Sequence, residues 1–170
     1  MHHRYRIACF LPTSDAETSG GGGEIAGEPA TVLTPPRPAA SQIGRLRCLL
    51  AARENEHLEF KEARNNFHFE KLVKYCAAMA NEGGGSIVLG VTDKRPRRVV
   101  GSHAFADVER TKAGLLEKLH FRVEIDVIMT AEGRVLIFEV PSRPLGTPVG
   151  VDGAYWMRAG EDLVSMTPDV

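Results

Sequence analysis

The stretch "HFEKLVKYCAAMANEGGGSIVLGV", residues 68–91, constrains the fold more than any other part of the chain. Phe69, Leu72, Val73, Cys76 and Met79 or Ala80 recur at helical spacing and form one apolar stripe, with Lys71, Lys74 and Asn81 off it. Three glycines follow, and then "SIVLGV", a short apolar run that reads as a buried strand over 86–91. The glycines have two readings. A phosphate-binding loop follows a strand and opens a helix, so that backbone N–H groups and the helix N-terminus face the anion. Here the helix comes first and the strand second, and no Gly-Lys-Ser/Thr follows. The glycines therefore read as a helix stop, with Gly83 in the left-handed conformation and the next two letting the chain pass close to its neighbours. They give no argument for ATP binding.

The flanking segments fill in a pattern of alternating elements. "SQIGRLRCLLAARENE" places apolar residues at 43, 46, 49 and 50, which predicts a helix with Ser41 as its cap. In "HLEFKEA", Leu58 and Phe60 alternate with Glu59 and Lys61, a period of two that predicts a short strand. "DVERTKAGLLEKLH" reads as a further helix. "RVEIDVIMT" and "RVLIFEV", joined by "AEG", read as a hairpin. "GAYWMRAG" and "LVSM" read as a small closing hairpin after the Pro/Gly loop "PSRPLGTPV". The order is helix, strand, helix, strand, helix, strands. It predicts a single α+β domain, with a mixed, mostly antiparallel sheet flanked by helices. Residues 1–42 read as a disordered leader, because 12–42 are rich in Gly, Pro, Ser, Thr and Ala. The folded domain is expected over 43–168.

The 170 residues suffice for one domain with a core. No run approaches the roughly 18 apolar residues of a membrane span. The apolar patch Ile7 to Leu11 is too short for a signal-peptide core. Cys9, Cys48 and Cys76 make neither a disulfide framework nor a zinc spacing, and a reducing cytoplasm is the simplest location. Net charge is −1, yet "KRPRR" at 94–98 holds four cations and no acid. That cluster reads as a phosphate-contacting turn or as a solvated one.

Several motifs in one order carry a resemblance. "RENEHLEFKEA" (53–63), "LVKYCAAMANEGGGSIVLGVTD" (72–93), "VVG" (99–101) and the tail "GAYWMRAGEDLVSMT" together resemble the AlbA-type domain of the Schlafen family, described as a DNA-binding domain. The resemblance spans about 43–168. It implies nucleic-acid binding, to DNA or RNA, by a module acting as a transcriptional regulator or recognition domain. Some animal Schlafens are also RNases that cut tRNA or rRNA with three carboxylates and a divalent metal. Carried over, that trio is Glu54, Glu59 and Asp93, with Mg²⁺ or Mn²⁺ as the implied cofactor of a metal-dependent endoribonuclease. Arg158 matches the recurrent arginine of the tail. Two such lobes form the groove of the animal proteins, so the resemblance also implies a homodimer here. Relatives often continue into an ATPase-like or winged-helix domain; this chain stops at "MTPDV", which reads as a minimal version or a fragment.

The residues themselves permit this chemistry. Divalent metals take hard oxygen ligands, and phosphodiester cleavage places metal near the attacking and leaving oxygens. Glu59 and Lys61 share a strand face, one suited to hold metal and the other to neutralise a phosphate or position water. Asp93 lies just past a strand end, and Glu54 reaches the same point only if the turn between helix and strand is tight. The alternative is that Glu54 and Asp93 are solvated or pair with Arg53 or Lys94. For binding, the candidates are Lys61, Lys71, Lys74, Arg95, Arg97, Arg98 and Arg158, as phosphate contacts that give salt-sensitive affinity. Tyr155 and Trp156 offer a stacking surface, although strand alternation turns one of them to the core. His57, His68, His103 and His120 lack metal-ligand spacing. Cys76, on the apolar stripe, reads as core.

Overall fold

The computed structural model describes residues 39–166. Most of the expected leader lies outside the described residues, but residues 39–42 already belong to helix α1 (Ala39–Ala51), so Ser41 sits inside the helix rather than capping it. The elements that follow are β1 (Leu58–Lys61), α2 (Phe69–Asn81), β2 (Gly85–Leu89), α3 (Val108–Leu119), β3 (Glu124–Thr130), β4 (Gly133–Val140), β5 (Gly150–Val151), β6 (Ala154–Ala159) and β7 (Asp162–Met166). This is the α+β domain the sequence predicts. The closing hairpin gains a third strand, β5. The strand expected over 86–91 ends at Leu89, where Gly90 turns at φ +94° and Val91 bridges to Val99 instead.

Four strands form one sheet in the order β1-β2-β4-β3, and β5-β6-β7 form a second, smaller one. β1 and β2 are parallel and are joined through α2, the crossover that parallel neighbours require. The other pairings are antiparallel. Alternation along the strands divides the core. Leu58, Phe60, Val88, Val135 and Ile137 face α1, where Leu46 and Leu49 meet them. Ile87, Leu89, Leu136 and Phe138 face α2 and α3. Arg45 pins α1 to the sheet through Asp126 of β3 at 2.7 Å and through Glu139 of β4.

The apolar face of α2 is wider than its sequence stripe. Besides Leu72, Val73, Cys76, Met79 and Ala80, the helix buries Tyr75, Ala77 and Ala78. The reason is tertiary: the small sheet covers the face of α2 away from the large sheet, bringing Val151, Trp156 and Leu163 into the same cluster. Asn81, which lies off the stripe, fastens this second layer. Its amide donates to Val149 O at 3.0 Å and Trp156 O at 2.9 Å, and its Oδ1 accepts from Val149 N at 2.8 Å.

The glycines do what a helix stop requires. Glu82 N donates to Ala78 O, Gly83 follows at φ +106°, and Gly84 N donates to Met79 O at 2.7 Å. At Gly84, φ is +94° and an added Cβ would lie 2.8 Å from both Ser142 N and Val140 O. Gly84→Ala is therefore expected to destabilise by about 2 kcal/mol or more, strain and clash together, whereas Gly146→Ala, with positive φ but open space, loses only about 1 kcal/mol. Urea denaturation of both variants separates the two effects.

Candidate functional site

The short passage from α1 into β1 decides where the carboxylates go. Asn55 bridges to Leu58, and the turn is tight enough for Glu54 Oε1 to accept the Phe60 N–H at 2.9 Å. Period two then sends Leu58 and Phe60 toward α1 and leaves Glu59 and Lys61 on the opposite face, beside α2. Asp93 arrives past the end of β2, and its Oδ1 accepts the Glu62 N–H at 3.2 Å. The three carboxylates expected to act together line one cleft of about 610 Å³, with Lys61, Arg53, Lys94, Arg95, Arg97 and Glu161.

Each carboxylate is engaged by a cation. Glu59 is 1% exposed; its Oε1 lies 2.5 Å from Lys61 Nζ and its Oε2 pairs with Arg158 of β6. Lys61 Nζ also lies 3.5 Å from Asp93 Oδ2. Glu54 Oε2 lies 3.3 Å from Arg97 Nη2, and Arg97 in turn stacks 4.0 Å above the Phe60 ring. The partners are thus Arg97 and Lys61, not the Arg53 and Lys94 nearer in sequence. Among the described residues, no group of three or more His, Cys, Asp or Glu side chains is arranged to hold a metal ion. The donor atoms that Mg²⁺ or Mn²⁺ would need are turned on ammonium and guanidinium groups, so as arranged these residues do not fit a divalent ion.

Two arginines expected at the surface are inside. Arg158 is 4% exposed, and its Nη2 also donates to Asn55 O at 3.4 Å. The Arg97 side chain is almost wholly covered. Both are consumed in neutralising buried carboxylates, because a buried charge without a partner is far costlier than one that is paired. The sequence reading took both as phosphate contacts; the structure instead buries them and pairs them with carboxylates of the chain. Lys94, Arg95 and Arg98 are exposed on their turn, with Arg95 donating to Ala51 O at 2.7 Å. Lys71 is exposed, and Lys74 is half-buried over the Trp156 ring at 4.7 Å and 3.7 Å from Asp152.

Tyr75 was not visible as a site residue. Its ring has Lys61 Nζ at 6.0 Å, Lys71 Nζ at 5.9 Å and the Arg158 guanidinium carbon at 5.4 Å. Its position four residues after Lys71 is the only sequence signal, one turn along the same face. Trp156 takes the core-facing role, donating Nε1–H to Val151 O at 3.2 Å, and Tyr155 is half-buried against Gly150. Cys76 is fully buried and burial pushes its thiol up, in keeping with a core residue.

The titrations follow from the same burial. Burial raises the Glu54 carboxyl above its ordinary range, only partly offset by the Phe60 N–H. Burial alone would lower the Lys61 ammonium, but the hydrogen bond and charge of Glu59 outweigh it and hold it above the usual lysine range. Burial, then the Glu59 charge, raises the Tyr75 phenol.

The chain belongs to the Schlafen, AlbA_2 family, whose sequence profile matches residues 54–167. The fold is also that of the DIP2311 protein from Corynebacterium diphtheriae, with a TM-score of 0.56 and 18% identity over 73% of this chain and 30% of that one. The chain thus spans less than a third of that protein. The N-terminal domain of a RecG-related protein from Nitrosomonas europaea aligns at 21% identity and a TM-score of 0.46, over 74% of this chain and 92% of that one. No curated protein matches the chain. No helix among the described residues is long and apolar enough to cross a membrane.

Two outcomes follow. Arg158→Leu strands Glu59 with Lys61 alone and is expected to destabilise by about 3 kcal/mol, read by chemical denaturation. Lys61 and Tyr75 both bind their protons more tightly folded than unfolded, so stability falls as pH rises above roughly 10, where the unfolded groups titrate. Thermal unfolding across that range is expected to show a shallower loss in Tyr75→Phe than in the native chain.

Proposed function

We propose that this chain is a nucleic-acid-binding module that grips phosphates along a track of cations beside the cleft. The observation that carries this is the grouping around Tyr75. Lys61 and Lys71 flank its ring, Lys74 follows one helical step on over Trp156, and Lys94 and Arg95 line the other side of the cleft. Lysines spaced beside aromatic rings suit a ligand that alternates phosphates with flat bases. The buried carboxylates are matched by Arg97, Arg158 and Lys61, so the exposed cations are left to act on a polyanion. Membership of the Schlafen family and the RNase activity of some animal Schlafens support the same ligand class.

The endoribonuclease reading draws on one observation, that Glu54, Glu59 and Asp93 line a single cleft. Their cationic partners favour phosphate binding over metal binding at this site, and no hydrolytic step is assigned to them.

Labelled tRNA and labelled duplex DNA in gel-shift titrations test the proposal. Both the affinity and its salt dependence are expected to drop when Lys71, Lys94 and Arg98 are reversed to Glu, by about tenfold or more in affinity at moderate salt. These side chains are exposed, so thermal stability should hardly move. Binding that ignores the reversal, or no binding of either ligand by the native chain, would rule the reading out.

A further inference from the structure

A pair of carboxylates with a cation between them is a common way to hold a divalent metal, and here the cation is already part of the chain. Lys61 Nζ lies 2.5 Å from Glu59 Oε1 and 3.5 Å from Asp93 Oδ2. The remaining oxygens are also committed: Glu59 Oε2 to Arg158, Glu54 to Arg97 and the Phe60 N–H, and Asp93 Oδ1 to the Glu62 N–H. Lys61 has little freedom to leave. It projects from β1 between the Tyr75 ring and the cleft, and its ammonium is held charged by Glu59. A divalent ion entering between Glu59 and Asp93 would meet this positive charge within a few ångströms. Repulsion at that range, in a half-buried site, outweighs what two partly engaged carboxylates return.

We infer that Lys61 is the resident cation of the cleft: it occupies the position between Glu59 and Asp93 and keeps Mg²⁺ and Mn²⁺ out. The ammonium lies within ion-pair distance of both carboxylates, and its side chain is 24% exposed, so it is also open to a phosphate oxygen in the cleft. The exclusion of metal stands on the protein alone; the phosphate contact rests on the nucleic-acid reading above.

The test is a calorimetric titration of Mn²⁺ into the full chain, the Lys61→Met variant and the Lys61→Met/Asp93→Asn double variant, with thermal unfolding of each. The native chain is expected to show no saturable binding. Lys61→Met keeps the length of the side chain but not its charge, and should bind Mn²⁺ about tenfold or more tightly than the native chain. It should also unfold at a higher temperature with Mn²⁺ present, and the double variant should lose both gains. Native protein that binds Mn²⁺ as tightly as Lys61→Met overturns the inference, as does a folded Lys61→Met that gains nothing. Should Lys61→Met fail to fold, Lys61→Gln takes its place and the native titration decides by itself. Gel shifts of tRNA with EDTA or Mn²⁺ form the separate arm. EDTA-insensitive binding supports the phosphate contact and EDTA-sensitive binding overturns it. A native chain that binds no nucleic acid removes the phosphate contact and the functional reading, while the Mn²⁺ titration still decides the exclusion of metal.

Discussion

The rest of the structure depends on the carboxylate of Glu59. It sits on a four-residue strand, almost wholly removed from water, and is paired at one oxygen to Arg158 and at the other to Lys61. Taking such a charge out of water costs several kcal/mol unless it is paired and hydrogen-bonded. Arg158 belongs to β6, so meeting Glu59 requires the small sheet to lie over α2. That placement closes the second face of α2, buries Tyr75, and brings Trp156 beside Lys74. One ion pair thus couples the two sheets, the long helix between them and the cleft.

The same layer is also fixed by hydrogen bonds from the end of α2. Asn81 holds Val149 and Trp156 through three hydrogen bonds, and Glu82 Oε1 accepts the Arg158 N–H at 3.3 Å. Immediately beyond, Gly84 and Gly85 run against the backbones of residues 140–142 and His57, where a side chain has no room. The segment "ANEGGG" is therefore a structural joint, linking helix, strand and small sheet. Its glycines approach protein backbone where those of a nucleotide loop approach phosphate.

The cleft that results differs from a metal centre in how it is neutralised. Carboxylates at a metal site keep lone pairs free for a mobile ion and release them when it leaves. Here the counter-charges are side chains of the chain itself, Lys61, Arg97 and Arg158. Pairing with Glu59 holds the Lys61 ammonium charged and burial keeps the Tyr75 phenol protonated around neutral pH, whereas burial works against the Glu54 charge and raises its carboxyl. Among the described residues, the exposed Lys71, Lys94 and Arg98 have no carboxylate partner, while the half-buried Lys74 lies 3.7 Å from Asp152.

Much of the fold was legible in the amino-acid sequence. Periodicity marked α2, β1, α3 and the β3–β4 hairpin, because those elements bury one face and their apolar spacing follows directly from helix or strand geometry. Period two also placed Glu59 beside Lys61, and the order of helix, glycines and strand excluded a phosphate loop. What the sequence could not carry was which charges meet across the chain. Arg97 and Arg158 read as phosphate contacts, because their carboxylate partners lie 43 residues away at Glu54 in one case and 99 away at Glu59 in the other. The full width of the buried face of α2 was hidden for the same reason. Local pattern reports how a segment packs against one neighbour, whereas ion-pair partners, a second covering layer and the enclosure of a lysine between two carboxylates are set only when distant strands are brought together.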